Sequence, residues 1–294
     1  MQLCRKAIWG ARHVLIATCL LALTAAWSTA QDPAPAPPPA PATQTPPASD
    51  PDVRVDPLQP DFTLVALPTT LRVPNHKMSF RVSHRFLRSL GAGDAGDLFS
   101  NLFGFDNGAQ IGLELRYGLR PGTQVGFHRT SDQTIQLFGQ QSIVNSRSHR
   151  YGLDAIATFE GTHNLHEQHQ SALGVILSAR AGRIADVYAE PMVVINSNPV
   201  LSDLTTQNDT VMIGLGARVR IRPATYLVGE ITPRVAGYRP AVNQMSFGLE
   251  ERVGGHLFQI DVGNGYGTTF GQIARGGVTN DSWFIGFNIA RKFF

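Results

Sequence analysis

Residues 211–220 read Val-Met-Ile-Gly-Leu-Gly-Ala-Arg-Val-Arg, and their alternation decides the fold. Val211, Ile213, Leu215, Ala217 and Val219 hold one register; Gly214, Gly216, Arg218 and Arg220 hold the other. A period of two puts these sets on opposite faces of a β-strand. The apolar face carries no charge, whereas the other carries two arginines. A strand between lipid and a polar interior needs that division, because Lys or Arg at mid-bilayer costs roughly 2–4 kcal/mol.

The same period recurs along the chain. Phe80 and Val82 alternate with Arg81 and Ser83, and Ile111, Leu113 and Leu115 with Gly112, Glu114 and Arg116. Leu173, Val175 and Leu177 alternate with Gly174 and Ser178, and Ile285, Phe287 and Ile289 with Gly286 and Asn288. Less regular strands fit near 133–143, 186–195, 225–235, 244–251 and 256–263. Pro191 and Pro233 fall within two of these and predict bulges or strand ends, since proline cannot donate to a ladder. The fold predicted over 61–294 is all-β: an antiparallel up-and-down transmembrane β-barrel of about twelve strands.

The connectors are sided. Tight turns are expected at Leu119-Arg120-Pro121-Gly122, near Gly182, at 222–225 and at 252–255. Longer loops are expected between the first two strands and at about 160–170, 196–209, 236–243 and 264–281, with a short exception near Ser131-Asp132. Outer-membrane barrels have short periplasmic turns and longer outer loops, and an even strand count puts both termini on the turn side. A soluble barrel or sandwich with the apolar face inward is the rival. The leader, the strand count and the sided loops favour the membrane.

That leader is residues 1–30. Arg5, Lys6 and Arg12 precede an apolar run from Val14 to Ala26, and Ser28-Thr29-Ala30 supplies small residues for cleavage. Cys4 and Cys19 both lie in it, so the mature chain is expected to have no disulfide and no thiolate metal site. Of 25 basic residues three leave with the leader, and 25 − 3 = 22 remain against 22 acidic ones. The basic pI is therefore no argument for a nucleic-acid partner. Residues 31–60, rich in Pro and Ala, read as a disordered periplasmic linker.

Charged residues in the polar register are the candidate lumen lining: Arg81, Arg85, Glu114, Arg116, Arg150, Asp154, Arg180, Glu190, Arg218, Arg220, Glu230 and Glu250. They suit an eyelet that filters polar solutes. They equally suit a salt-bridged plug, because unpaired charges in a narrow barrel are costly. His163, His166 and His169, with Glu167, form a weak candidate metal group in a polar loop. Phe99, Phe103 and Phe105 in the first long loop either fold into the lumen as a constriction or pack on the rim. No Ser/His/Asp spacing singles out a nucleophile, so no catalytic residue is named and no cofactor is implied. The glycine-containing stretch 263–277 lacks the strand–helix context of a phosphate cradle.

The chain ends in Phe293-Phe294, which resembles the terminal aromatic signal that the barrel-assembly machinery reads. Several stretches resemble a bacterial β-barrel family known only as a domain of unknown function: Ser83-His84-Arg85-Phe86, Leu102 to Asn107, LELRYGL to VGFHRTS, His256 to Gln259 and Gly286 to Arg291. The resemblance spans about residues 65–294, implies a barrel and supplies no catalytic residues.

The functional expectation is a small channel or porin-like passage for polar solutes in the outer membrane of a Gram-negative-type bacterium. Outer-membrane lipid and the assembly machinery are its expected partners. The alternatives are a non-conducting barrel that binds a ligand or anchors a partner, and an outer-membrane hydrolase.

Overall fold

The computed structural model describes residues 59–146, 149–182, 184–200 and 206–293, with backbone alone at 105 and 106. The predicted leader and nearly all of the predicted linker lie outside these residues.

Strands dominate. In chain order they are β1 (Met78–Phe86), β2 (Ala109–Arg120), β3 (Thr123–Thr130), β4 (Ile135–Val144), β5 (Tyr151–Gly161), β6 (Glu167–Ala181) and β7 (Ala185–Ile195). These are followed by β8 (Thr210–Arg220), β9 (Thr225–Thr232), β10 (Arg234–Gly237), β11 (Gln244–Val253), β12 (His256–Gly263) and β13 (Phe284–Phe293). Each pairs antiparallel with its neighbours. β1 closes on β13, with Val82 opposite Ile289, and β8 pairs with β9, Leu215 opposite Ile231. The result is a closed antiparallel barrel of twelve strands with one extra strand, β10.

β10 exists because of proline. Pro233 interrupts β9, and the chain beyond it pairs with β8 through a register shift between Arg234 and Ala236. Pro191 behaves differently: it lies inside β7, opposite Ile213 of β8, with the register on either side unchanged.

The alternation sorts as the period requires. Leu115, Phe127, Leu137, Leu173, Leu215, Leu249 and Phe258 are exposed on the outside. Between them, Arg116, His128, Gln136, Gln259 and Glu250 point inward and are buried. Ladders between neighbouring strands pair the main chain along the wall, which a hydrocarbon medium demands.

The connectors are sided too. At the end bearing the termini they span 121–122, 145–150, 182–184, 221–224 and 254–255. At the other they span 87–108, 131–134, 162–166, 196–209, 238–243 and 264–283. One expected long loop is short. β5 runs to Gly161 and β6 begins at Glu167, so the polar 160–170 stretch is mostly strand.

Among the described residues the longest loops carry two short α-helices, α1 (Ala95–Ser100) and α2 (Phe270–Arg275), the first followed by a 3-10 segment at Leu102–Asn107. Each begins at a capping box, Asp94 with Asp97 and Thr269 with Gln272. Such reciprocal bonds satisfy orphan amides and allow one helical turn to stand where propensity alone would not.

Candidate functional site

The barrel interior is occupied by the chain itself. Residues 59–76 enter from the termini end, turn at mid-barrel and return to the same end, where β1 begins. The turn is a hairpin: Leu64 N–H donates to Leu67 C=O at 2.7 Å and Thr69 N–H to Phe62 C=O at 2.8 Å, with Thr63 bridged to Pro68. From the opposite end α2 descends, burying Phe270, Ile273 and Ala274. Between hairpin and helix a cavity of about 10 Å³ remains, lined by Ala66, Pro68, Glu114, Arg116, Phe270 and Ile273.

Wall side chains hold the hairpin by its backbone. At the entrance Lys292 Nζ donates to the carbonyls of Gln59 and Pro60, at 2.8 and 2.9 Å. Arg218, 1% exposed, donates to the carbonyls of Asp61 and Thr63 and pairs with Glu250 at 3.0 Å. At the tip the Glu230 carboxylate accepts the N–H groups of Val65, Ala66 and Leu67, all at 3.0–3.1 Å. The Val65 carbonyl accepts from Arg81 at 2.6 Å and from Arg85 at 3.3 Å. On the way out Gln140 donates to Thr69 C=O, while Gln124 donates to Leu71 C=O and accepts from Val73 N–H. A side-chain ion pair also joins hairpin to wall, Arg81 with Asp61 at 3.1 Å.

Two glycines explain why the hairpin fits. Gly214 and Gly216 lie on the inner face of β8, where a side chain would stand in the lumen. A Cβ on Gly216 would overlap Leu64 Cδ1, and one on Gly214 would come within 2.9 Å of Leu67 Cδ1. The bare backbone is the floor on which both leucines rest, and neither leucine is more than 1% exposed.

Around them the interior is apolar. Leu64, Val65, Ala66 and Leu67 form one buried cluster with Ile176, Tyr188, Met192, Met212 and Val228 of the wall and with Phe270 and Ile273 of α2. Polar side chains predominate inside β11–β13 and β1–β4, although Phe138, Leu257 and Ala290 are buried there too, and β5–β9 mix apolar with polar ones. Met192-Val193-Val194 and Val211-Met212-Ile213 are unbroken apolar runs. Such runs arise where the inner neighbours are apolar as well as the outer face, as Met192 and Val194 are buried inside and Val193 is exposed outside.

Of the twelve candidate lining residues, Arg81, Arg85, Glu114, Arg116, Asp154, Glu190, Arg218, Glu230 and Glu250 are buried inside. Arg85 pairs with Asp261 at 3.4 Å, and Arg116 with Glu114. Asp154 accepts from Gln140 at 2.7 Å. Glu190 differs from the rest: it is 1% exposed and neither carboxylate oxygen has a hydrogen-bond partner among the described residues. Arg150, Arg180 and Arg220 are exposed at the termini end. Their register is the lumen register, but they stand at the rim, where Arg180 meets Asp186 at 3.9 Å and Arg220 meets the Tyr226 hydroxyl at 3.1 Å.

The other candidates separate. Phe99 is exposed and packs edge-on against Phe103 at 5.2 Å, so the first long loop does not enter the lumen; the Phe105 side chain lies outside the description. The inward loop is 264–283, whose glycine-containing stretch folds as α2. Glu160 occupies the start of that helix, accepting from Gly271 N–H at 3.1 Å and Thr269 Oγ1 at 3.2 Å. His163 faces Glu167 at 3.3 Å, the His166 ring meets the His163 carbonyl, and the His169 ring meets the Leu165 carbonyl. Their nitrogens are directed to separate partners. Among the described residues no group of three or more His, Cys, Asp or Glu is placed to hold a metal ion.

At the loop end Asp132 links the β3–β4 turn to α2. It accepts from Thr130 Oγ1, from Thr134 N–H at 3.2 Å and from Gln272 Nε2 at 2.8 Å. Partial burial alone would raise its carboxyl, but the hydrogen bonds from Thr130, foremost, and from Thr134 hold it below its ordinary value.

Residues 61–293 match the family described as "Membrane bound beta barrel domain (DUF5777)". Among solved structures, the NanC porin is 12% identical, with 74% of this chain and 99% of that one covered and a TM-score of 0.50. A KdgM porin in complex with disordered oligogalacturonate is 8% identical, over 74% of this chain and 99% of that one, at 0.48. A mutant Rh. blastica porin is 10% identical, over 68% and 58%, at 0.33. The NanC likeness is one of fold. No curated protein matches the chain.

Proposed function

The chain belongs to the membrane-bound β-barrel domain family DUF5777, and from that premise we propose that it forms a porin-like passage for polar solutes in an outer membrane, shut here by its own inserted segments. One observation carries the reading. The ring of strands is wide enough to enclose two antiparallel passes of chain, and that chain is held by wall side chains. Without it, Arg81, Glu230 and Lys292 would line a polar channel. On this reading the turn-bearing end is the periplasmic one. The barrel-assembly machinery, outer-membrane lipid and a small polar solute are the partners this reading entails.

The filled lumen favours a second reading, a non-conducting barrel that binds a ligand or anchors a partner. Reconstitution into planar bilayers separates the two. Stepwise conductance from the chain lacking residues 59–73 is the expected result. Silence from barrels that still run as folded, heat-modifiable species on gels defeats the passage. Turnover of phospholipid or peptide by the purified barrel would displace both readings in favour of a hydrolase.

A further inference from the structure

The hairpin is bound as a ligand is bound. Among the described residues no main-chain hydrogen bond joins 60–71 to a strand; His76 N–H to Gly118 C=O, at 2.8 Å, is such a tie beyond the hairpin. Wall side chains instead reach its carbonyls and amides, which any sequence offers. Discrimination comes from Gly214 and Gly216, which receive two leucines three residues apart. Main-chain bonds for affinity and side-chain sockets for selection are the division of labour in peptide-recognition sites.

The fit is incomplete at one position. An ideal Cβ on Gly214 lies 2.9 Å from Leu67 Cδ1 and 3.2 Å from Glu190 Cβ, so Leu67 and Glu190 meet over the same socket. A leucine thus shares its socket with the stem of Glu190, a buried residue whose two carboxylate oxygens have no partner among the described residues. Leaving a buried acceptor without a donor is costly, and a donor at that place removes the cost.

We propose that the lumen is a peptide-binding site: residues 59–73 are its resident occupant, and a peptide of the same turn shape with a cationic side chain at the Leu67 position displaces them. This rests on the passage reading and names its solute class as cationic peptides. Glu190 is the residue that selects the charge; Gly216 is the residue that admits the turn. The hairpin can leave and return because both its ends lie at one end of the barrel.

The test uses labelled synthetic peptides of sequence 59–73, native and with Leu67→Lys, titrated by fluorescence anisotropy into the chain lacking 59–73. A full-length Asp61→Ala/Leu64→Ala variant, whose wall is intact, serves if the deletion does not fold. The native peptide is expected to bind, and the Leu67→Lys peptide to bind roughly tenfold tighter or more, as a charge-assisted contact supplies. Glu190→Gln should abolish that gain and Gly216→Val should abolish both. Failure of both peptides on folded barrels, or a gain that survives Glu190→Gln, overturns the proposal. Barrels that conduct in bilayers while neither peptide binds refute the site and leave the passage standing. Barrels that bind both peptides as expected yet stay silent refute the passage and keep the site.

Discussion

Leu64 lies against the bare Cα of Gly216: the side chain is fully buried, and the space a Cβ would need on β8 is already taken by its Cδ1. The hairpin and the wall are therefore complementary in shape at this point, and each residue type requires the other.

Gly216→Val should expel the hairpin without unfolding the barrel. Losing a buried leucine's packing costs about 2–5 kcal/mol, charged here to docking rather than to the strand ladder. Limited thermolysin digestion should cut within residues 62–71 while the barrel keeps its heat-modifiable gel shift. Unchanged protection of that segment would show that the contact is not needed for docking.

Glu230→Gln keeps the shape but removes the charge that gathers three amides. Hydrogen bonds to charged groups are worth about 1.5–3 kcal/mol each against about 1 for neutral ones, so a net loss of about 2 kcal/mol is expected. Amide exchange at Val65, Ala66 and Leu67 should accelerate roughly thirtyfold, with the strands unaffected. Uniform acceleration through the barrel would contradict a local role.

The loop end should respond to acid through Asp132. Its carboxyl titrates below the ordinary value in the folded barrel. The stabilisation is therefore present above that ordinary value, and it is lost as pH falls through the lowered one. Exchange at residues 269–275 should rise as pH drops below about 4, the usual carboxylate value. An Asp132→Asn variant should show a flattened profile, and identical profiles would remove Asp132 as the cause.

Leu173→Arg tests the outer face. Leu173 is exposed near the middle of β6. An arginine there should cost roughly 2–4 kcal/mol of folding stability in lipid vesicles, the penalty at the bilayer midplane. A urea midpoint equal to that of the unmodified barrel would mean this face does not meet hydrocarbon.

The strands were legible because lipid enforces the period-two pattern from one side. Val211 to Arg220 and Phe80 to Arg85 show it without structure. The hairpin was not legible: Phe62 to Val73 has no strand period, and its partners lie far away in sequence, at Arg218, Glu230 and Gln259. Charge drew attention to Arg81 and Glu230 but passed over Gln124 and Gln140, which do comparable work with no charge. Register assigned Arg150, Arg180 and Arg220 to the lumen set, whereas they stand exposed at the rim, because depth along the axis depends on where each strand stops. The apolar part of the interior did leave a trace, in runs such as Met192-Val193-Val194.

The hairpin's return to its own point of entry bears on biogenesis. A segment passing through the ring would have to be threaded before β1 met β13. One that enters and leaves by a single mouth can be tucked in after that seam is zipped. Assembly of the wall and filling of its interior are thus separable events, and a cylinder arrested between them would be a complete ring with its leading residues still outside.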